Sequence, residues 1–316
     1  MDKNKKKQQV DKRTEGLRTR SKVENQAEQF ILDINAGKTI ANFLQEKAKG
    51  FIEFLSLIVE DEGEHKGENV FQLVVQREKV NEALAYHFTR LPCEEKERFL
   101  DFLGKYSQNG PLAGKNMLWA IAYAAIQGSS ALLNTLAENF ENVPLGVLLD
   151  RLLPLQETAQ SDLYSGLNTL GMIAYAAIKE YPALLNALAK NFEKVPPETL
   201  LDRLLPLLQE VLQSGPYAGM NTLGMIAYAA VKGHPTLLNA LAENFEKVRP
   251  ERLLNRLLPL LQEIVQSGAY AGMNTVGIIA KAAVGEFPAF LNAITKALMC
   301  LKPASRFSLL QQGPPV

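Results

Sequence analysis

Along 168–178 the apolar residues Leu170, Ile173, Ala174, Ala177 and Ile178 fall at i, i+3, i+4, i+7 and i+8, which gathers them on one stripe of an α-helix. Pro182 then restarts the chain. The segment P-A-L-L-N-A-L-A-K-N-F that follows predicts a second helix, with proline tolerated in the first turn because an N–H there has no intrahelical acceptor. Pro196-Pro197-Glu198 ends that helix and opens a third, which Leu200, Leu201, Leu204, Leu205, Leu208 and Val211 carry on to Gly215. Pro206 lies inside the third helix and is expected to kink it, since it lacks an N–H and crowds the preceding turn. No run alternates apolar and polar residues as a half-buried strand would. The pattern predicts an all-α protein.

The pattern also recurs. Residues Asn168–Met220 align without gaps on Asn221–Met273, and only 11 of the 53 positions differ. The motif N-T-L-G-M-I-A-Y-A-A at Asn168 and Asn221 returns as N-M-L-W-A-I-A-Y-A-A at Asn116 and as N-T-V-G-I-I-A-K-A-A at Asn274, with a worn copy, N-V-F-Q-L-V-V, at Asn69. The glycines that open these units are Gly67, Gly114, Gly166, Gly219 and Gly272, spaced 47, 52, 53 and 53 residues apart. A module of this kind cannot bury its apolar sides alone, so copies stack. The expected architecture is a right-handed α-solenoid of about five three-helix repeats, each about 53 residues long, with an N-terminal helical cap.

The ends depart from the repeat, as capping units must where the stack meets water. Residues 26–66 carry Phe30, Ile31, Ile34, Phe43, Leu44, Phe51, Phe54, Leu55 and Ile58 at helical spacings and read as the cap. The repeats run over 67–301, and 302–316 reads as the remnant of a closing helix stopped by Gly313-Pro314-Pro315. Residues 1–25 hold nine Lys or Arg, four acids and few large apolar side chains, and are expected to form a disordered basic tail. Over the whole chain 34 basic and 34 acidic side chains cancel, which argues against attachment of the folded body to nucleic acid or a membrane surface. Any such attachment is expected through residues 1–25 alone. Cys93 and Cys300 form no C-x-x-C pair and suggest neither a disulfide framework nor a zinc site, as suits a reducing cytosol. The most apolar early run, Phe51 to Val59, is far short of the roughly 20 residues of a membrane span. No apolar segment directly follows Lys3, Lys5, Lys6 and Lys7 as it would in a secretory signal. A cytoplasmic protein is expected, and delivery to a host-cell cytosol would need a route without a cleaved signal peptide.

The segment K-G-H-P-T-L-L-N-A-L-A-E, Lys232 to Glu243, resembles the turn and second helix of an ankyrin repeat, and Ala229-Ala230 with the G-x-N-T-L at Gly219 resembles that family's opening. The T-P-L-H signature is absent, and an additional helix of about 18 residues replaces the hairpin loop. Three helices per unit are equally similar to armadillo-type stacks. Both resemblances imply a concave surface that binds a protein. Degenerate helical repeats behind a basic tail also resemble effectors that intracellular bacteria inject into host cells.

No catalytic constellation emerges. His65 lies in the acidic loop E-D-E-G-E-H and reads as a solvated turn residue; His87 aligns with Asn139, Asn191 and Asn244 as a polar residue at a helix end; His234 sits in a turn where the preceding unit has Tyr181. G-x-S-x-G, G-x-x-x-x-G-K-[ST] and H-E-x-x-H are all missing. Glu94 and Glu95 beside Cys93 would raise rather than lower a thiol pKa. The chain is therefore expected to be no enzyme, with no cofactor, no metal and no small-molecule substrate.

Binding residues are expected on the first helices. If Leu170, Ile173, Ala174 and Ala177 face inward, Gly171, Met172, Tyr175 and Lys179 face the other way. This predicts a column Tyr123, Tyr175 and Tyr228, ending in Lys281, beside a second column Gln127, Lys179 and Lys232. Tyrosine combines a rigid apolar body with a polar tip, so such rows suit a protein partner, or else packing between repeats. Trp119 replaces the glycines Gly171, Gly224 and Gly277 and reads either as an interface anchor or as filler for a wider gap beside the worn unit. Asn134, Asn186, Asn239 and Asn292 form a ladder on the second helices that is expected to bond the backbone of the next unit.

Overall fold

The structure, a computed structural model, describes residues 22–47, 50–59, 65–66, 68–107, 112–140, 153 and 164–300. Most of the basic tail, the closing segment 302–316 and the third helix expected in the second unit lie outside the described residues. Helices α1 (Lys22–Asn35), α2 (Ile40–Lys47) and α3 (Phe51–Leu55) come first, then α4 (Val70–Val74), α5 (Glu78–Arg90) and α6 (Cys93–Leu103) of the worn unit. The second unit contributes α7 (Met117–Ile126) and α8 (Ala131–Phe140). The third contributes α9 (Thr169–Ile178), α10 (Ala183–Phe192) and α11 (Pro197–Gln209). The fourth contributes α12 (Thr222–Val231), α13 (Thr236–Phe245) and α14 (Pro250–Gln262), and the fifth α15 (Thr275–Val284) and α16 (Ala289–Cys300). Among the described residues strand pairing is limited to isolated bridges.

Equivalent helices pack on one another. The first helices form one row, α4, α7, α9, α12 and α15, and the second helices another, α5, α8, α10, α13 and α16, while α11 packs on α14. At the N-terminal end α1 covers α4 and α5, α2 covers α5, and α3 covers α4 and α6. Phe30, Phe43 and Phe54, one from each of these three helices, meet edge to face with centroids 4.9 to 5.2 Å apart and form the heart of this end.

The repeated asparagine fixes each first helix. Asn69, Asn116, Asn168, Asn221 and Asn274 are N-caps whose side-chain oxygens accept the backbone N–H three residues on, at 2.7 to 2.9 Å. The same oxygen accepts a threonine hydroxyl from the next unit: Thr169 on Asn116 at 3.0 Å, Thr222 on Asn168 at 3.3 Å and Thr275 on Asn221 at 3.2 Å. The amide nitrogens of Asn168 and Asn221 donate at 2.7 Å to Leu207 and Leu260 O, carbonyls near the ends of α11 and α14 that lack a helical partner. One buried side chain thus ties three elements.

The third helix stops earlier than its apolar pattern implies. It ends at Gln209; Glu210 is extended, and Val211 bridges antiparallel to Asn221, as Ile264 does to Asn274. The bridge lets Leu212 N–H donate to Met220 O at 3.0 Å and Gly219 N–H to Leu212 O at 2.8 Å, bonds that continued helix would forgo. This loop explains the glycines that open the units. Gly166 and Gly219 have φ of 83° and 84°, and a Cβ there would stand 2.3 Å from Val211 O and 2.6 Å from Ile264 O.

The expected second-helix ladder is displaced. The side-chain oxygens of Asn186 and Asn239 are buried without a hydrogen-bond partner among the described residues. The bonds between units come instead from Asn191, which donates to Phe140 O at 2.6 Å, and Asn244, which donates to Phe192 O at 3.2 Å. Those two carbonyls end α8 and α10, and the asparagine that faces each donates to it, at Phe192 beside the N–H of Val195 at 3.1 Å.

Candidate functional site

All ten residues of α9 are buried, including Gly171, Met172 and Tyr175, so the first helix has no open face along its middle. First helices on both sides, the second helix and the bridged loop enclose it, and a helix apolar all round is a buried helix. Tyr175 and Tyr228 are 6% and 7% exposed. Each lies between tyrosines from neighbouring loops. The rings run in the order Trp119, Tyr123, Tyr164, Tyr175, Tyr217, Tyr228, Tyr270, with successive centroids 4.7 to 5.6 Å apart. Tyr164, Tyr217 and Tyr270 escape a reading that follows helices alone. Their signal is the Y-x-G that precedes each of the glycines at 166, 219 and 272, recurring every 53 residues. Burial, and after it the closeness of the other hydroxyls, pushes Tyr175 and Tyr217 above the ordinary tyrosine range, so these two phenols stay neutral.

The polar members of the two expected columns emerge at its edge. Gln127, Lys179, Lys232 and Lys281 are exposed and Tyr123 half-buried. Lys179 Nζ stands 5.7 Å from the Tyr175 ring centroid, Lys232 5.9 Å from Tyr228 and Lys281 4.7 Å from Tyr270. Lys281 occupies the tyrosine position of the fifth unit and closes the column with a cation over its last ring.

Trp119 is not a surface anchor. It is 1% exposed, and its Nε1–H donates to Leu167 O at 3.0 Å. Lys115 Nζ donates to the same carbonyl at 3.0 Å and lies 5.0 Å from the indole centroid. The reason lies four residues upstream. A Cβ on Gly171 would stand 2.5 Å from the Leu167 side chain, and one on Gly224 2.8 Å from Met220, so in those units an apolar residue fills the space over the glycine. In the second unit that residue is Lys115, and the indole fills the space instead. Lys115 also draws down the pKa of Glu210, which its own burial raises to about 7 despite a hydrogen bond with Asn168.

A cavity of about 530 Å³ opens beside the first rings, between the worn unit and the second. Trp119, Tyr123 and Tyr164 line it together with Gln72, Leu73 and Leu112, and the exposed Gln76, Arg77 and Gln127 also border it. His65 and Glu68 complete the lining, with His65 Nδ1 2.6 Å from Glu68 Oε2. Three of the expected binding residues, Trp119, Tyr123 and Gln127, meet here, whereas Tyr175, Lys179, Tyr228, Lys232 and Lys281 lie along the column away from it. The other histidines stand elsewhere: His87 packs on Phe51 with centroids 4.5 Å apart and is held below its ordinary pKa by burial, and His234 Nε2 lies 3.6 Å from Glu180 Oε2. Cys93 and Cys300 are exposed free thiols. Among the described residues no group of three or more His, Cys, Asp or Glu is placed to hold a metal ion, and no single helix is long and apolar enough to cross a membrane. No protein-family model, curated protein or solved structure matches the chain. Its helices pack in recurring rows, an arrangement compatible with a helical repeat protein.

Proposed function

We propose that the protein is a non-enzymatic scaffold or regulator that grips a partner protein, akin in design to ankyrin-like and armadillo-like stacks and acting in a cytosol as repeat effectors of intracellular bacteria do. The observation that supports this reading is the exposed line of Gln127, Lys179, Lys232 and Lys281, three of them ammonium groups seated over rings of a packed aromatic column. An ammonium over a ring gains about 0.5–1 kcal/mol at an exposed site, which restrains a long side chain while leaving its charge available. Side chains restrained in advance lose less freedom when a partner docks, so acidic patches at the unit spacing would be met by positioned cations. The test is the triple variant Lys179→Glu, Lys232→Glu, Lys281→Glu, measured against a partner recovered from the native host with the unaltered chain. Charge reversal at three contacts is expected to weaken that affinity by roughly a hundredfold, while loss of the three ammonium–ring contacts costs about 1.5–3 kcal/mol of stability and leaves the chain folded. Unchanged affinity would move the partner off this edge.

A second reading rests on the nine basic residues among the first 25, which would attach the chain to nucleic acid or an anionic membrane. Deleting residues 1–21, which leaves α1 whole, and titrating both forms with RNA and with anionic vesicles at rising salt separates the two readings, because tail binding collapses as salt rises.

A further inference from the structure

The loops that join successive units stack edge on edge. Gln213 N–H donates to Ser165 O at 2.7 Å, and Gln266 N–H to Ala218 O at 2.7 Å. Val211 O and Ile264 O lie over Gly166 and Gly219, and Gly268 lies so close to Pro216 O that there is no room for a Cβ. The loop of residues 264–274 repeats these features on its outer side, and there no described residue meets them. Ala271 and Gly272 are exposed, and a Cβ on Gly272, where φ is 79°, would have nothing described within 4 Å. A groove of about 450 Å³ runs along Ile264, Ala271, Gly272, Met273 and Asn274. Asn274 Oδ1 accepts Gly277 N–H but, unlike the oxygens of Asn116, Asn168 and Asn221, no threonine hydroxyl among the described residues.

The closing segment of the chain, outside the described residues, carries the matching sequence. L-L-Q-Q-G-P at 309–314 agrees with V-L-Q-S-G-P at 211–216 in four of six positions. The agreements include the two residues that stacking uses. The glutamine supplies the bonded N–H, and the glycine, with φ of 87° at Gly215 and 79° at Gly268, takes a conformation that other residues resist. From Cys300, where α16 ends, the nine residues to Leu309 reach about 30 Å when extended, against roughly 20 Å for the 13 residues of α14 as a helix. The segment therefore reaches the last loop without completing a third helix. We propose that residues 309–314 close the stack by docking on the outer edge of the 264–274 loop. Gln311 N–H donates to Ala271 O, Leu309 O lies over Gly272, and Gly313 lies over Ala269 O. Gly272 then meets a carbonyl as Gly166 and Gly219 do. The closure uses the backbone of the last loop and none of the lysine edge, so it stands or falls apart from the partner reading.

For the test, Cys93→Ser and Cys300→Ser first remove two exposed free thiols. In that full-length chain, Ala271→Cys with Gln311→Cys is expected to form a disulfide within one chain. Ala218→Cys with Gln266→Cys, at positions whose backbones are bonded in the same way, gives the yield to match. Ala271→Cys with Ser305→Cys, six residues back along an extended path, is expected to stay reduced. Hydrogen exchange of the otherwise unaltered chain supplies a second readout. Gln311 N–H is expected to exchange at least about tenfold more slowly than in the variant Gly272→Val, whose branched side chain takes the place of Leu309 O. Gln213 N–H, in an internal loop, is expected to exchange alike in both. A closing helix over the same residues would leave Gln311 indifferent to Gly272→Val. That result, the absence of a disulfide between positions 271 and 311, or one that forms only between two chains, would overturn the proposal.

Discussion

At the junctions of the third unit with the fourth and of the fourth with the fifth, Asn168 and Asn221 each join a helix start, a helix end and the following threonine, glycines stand where the loops touch, and tyrosines from each side continue the column. Between the first and second units, the capping oxygen of Asn69 is matched by Gln72, its amide reaches only Met117 Sδ at 3.2 Å, and the column gives way to a cavity. The same chain positions therefore carry two solutions. Where units are near copies, each polar group finds the equivalent group of its neighbour and the rings interleave. Where units have diverged, substitutions come in compensating sets, as with Lys115 and Trp119, or leave space, as with Gln72, Gln76 and Leu112. Repetition lets each junction reuse the same bonds, and its interruption leaves a cavity.

The largest effect expected from exchanging one solution for the other is at Trp119. Trp119→Gly should cost about 4 kcal/mol through the void it leaves. Adding Lys115→Met, which restores the residue that overlies Gly224 and Gly277, should recover about 1–2 kcal/mol of it in a double-mutant cycle by equilibrium unfolding. Strict additivity would mean that the two positions did not compensate each other.

A smaller difference should separate the capping asparagines. Asn221→Ala removes bonds to Gly224 N–H, to the Thr275 hydroxyl and to Leu260 O from a fully buried site and is expected to cost about 3 kcal/mol. Asn69→Ala, with its cap shared and its amide on sulfur, is expected to cost about 1 kcal/mol. Equal losses in denaturant titrations would abolish the contrast between the duplicated and the worn junction.

A difference confined to one pH range lies at Glu210, which the second unit's Lys115 faces, whereas the equivalent Glu263 is exposed. Burial raises the folded pKa of Glu210 from 4.5 to about 7, so the native state binds more protons than the unfolded state within that window. Its contribution is complete below the window and is lost as pH rises through it. Glu210→Gln should raise the melting temperature above pH of about 7 and leave it nearly unchanged in acid. A uniform shift at all pH values would deny the carboxyl this role.

Much of this was legible residue by residue. The i, i+3, i+4 stripes and the prolines gave the helices, and the recurrence of Asn116, Asn168, Asn221 and Asn274 marked where the first helices begin. The exposed edge was half legible: Gln127, Lys179, Lys232 and Lys281 do reach the surface, because a charged head or amide at the end of a helix must find water. Trp119 was not, since an indole reads the same whether it fills an interior gap or anchors an interface. The asparagine ladder was misplaced by five residues because the helix-end carbonyls that decide it belong to a different helix.

The sequence by itself determined the helical class, the spacing of the units and the caps, since these rest on periodicity and on the conformational needs of single residues. Only the tertiary structure decided that the first helices are enclosed on every side, that tyrosines 11 residues apart in the chain interleave into one column, and that a cavity opens where the worn unit carries Gln72, Gln76 and Leu112. Burial and satisfaction of a polar group depend on what the neighbouring unit presents, and a stripe on one helix carries no record of that.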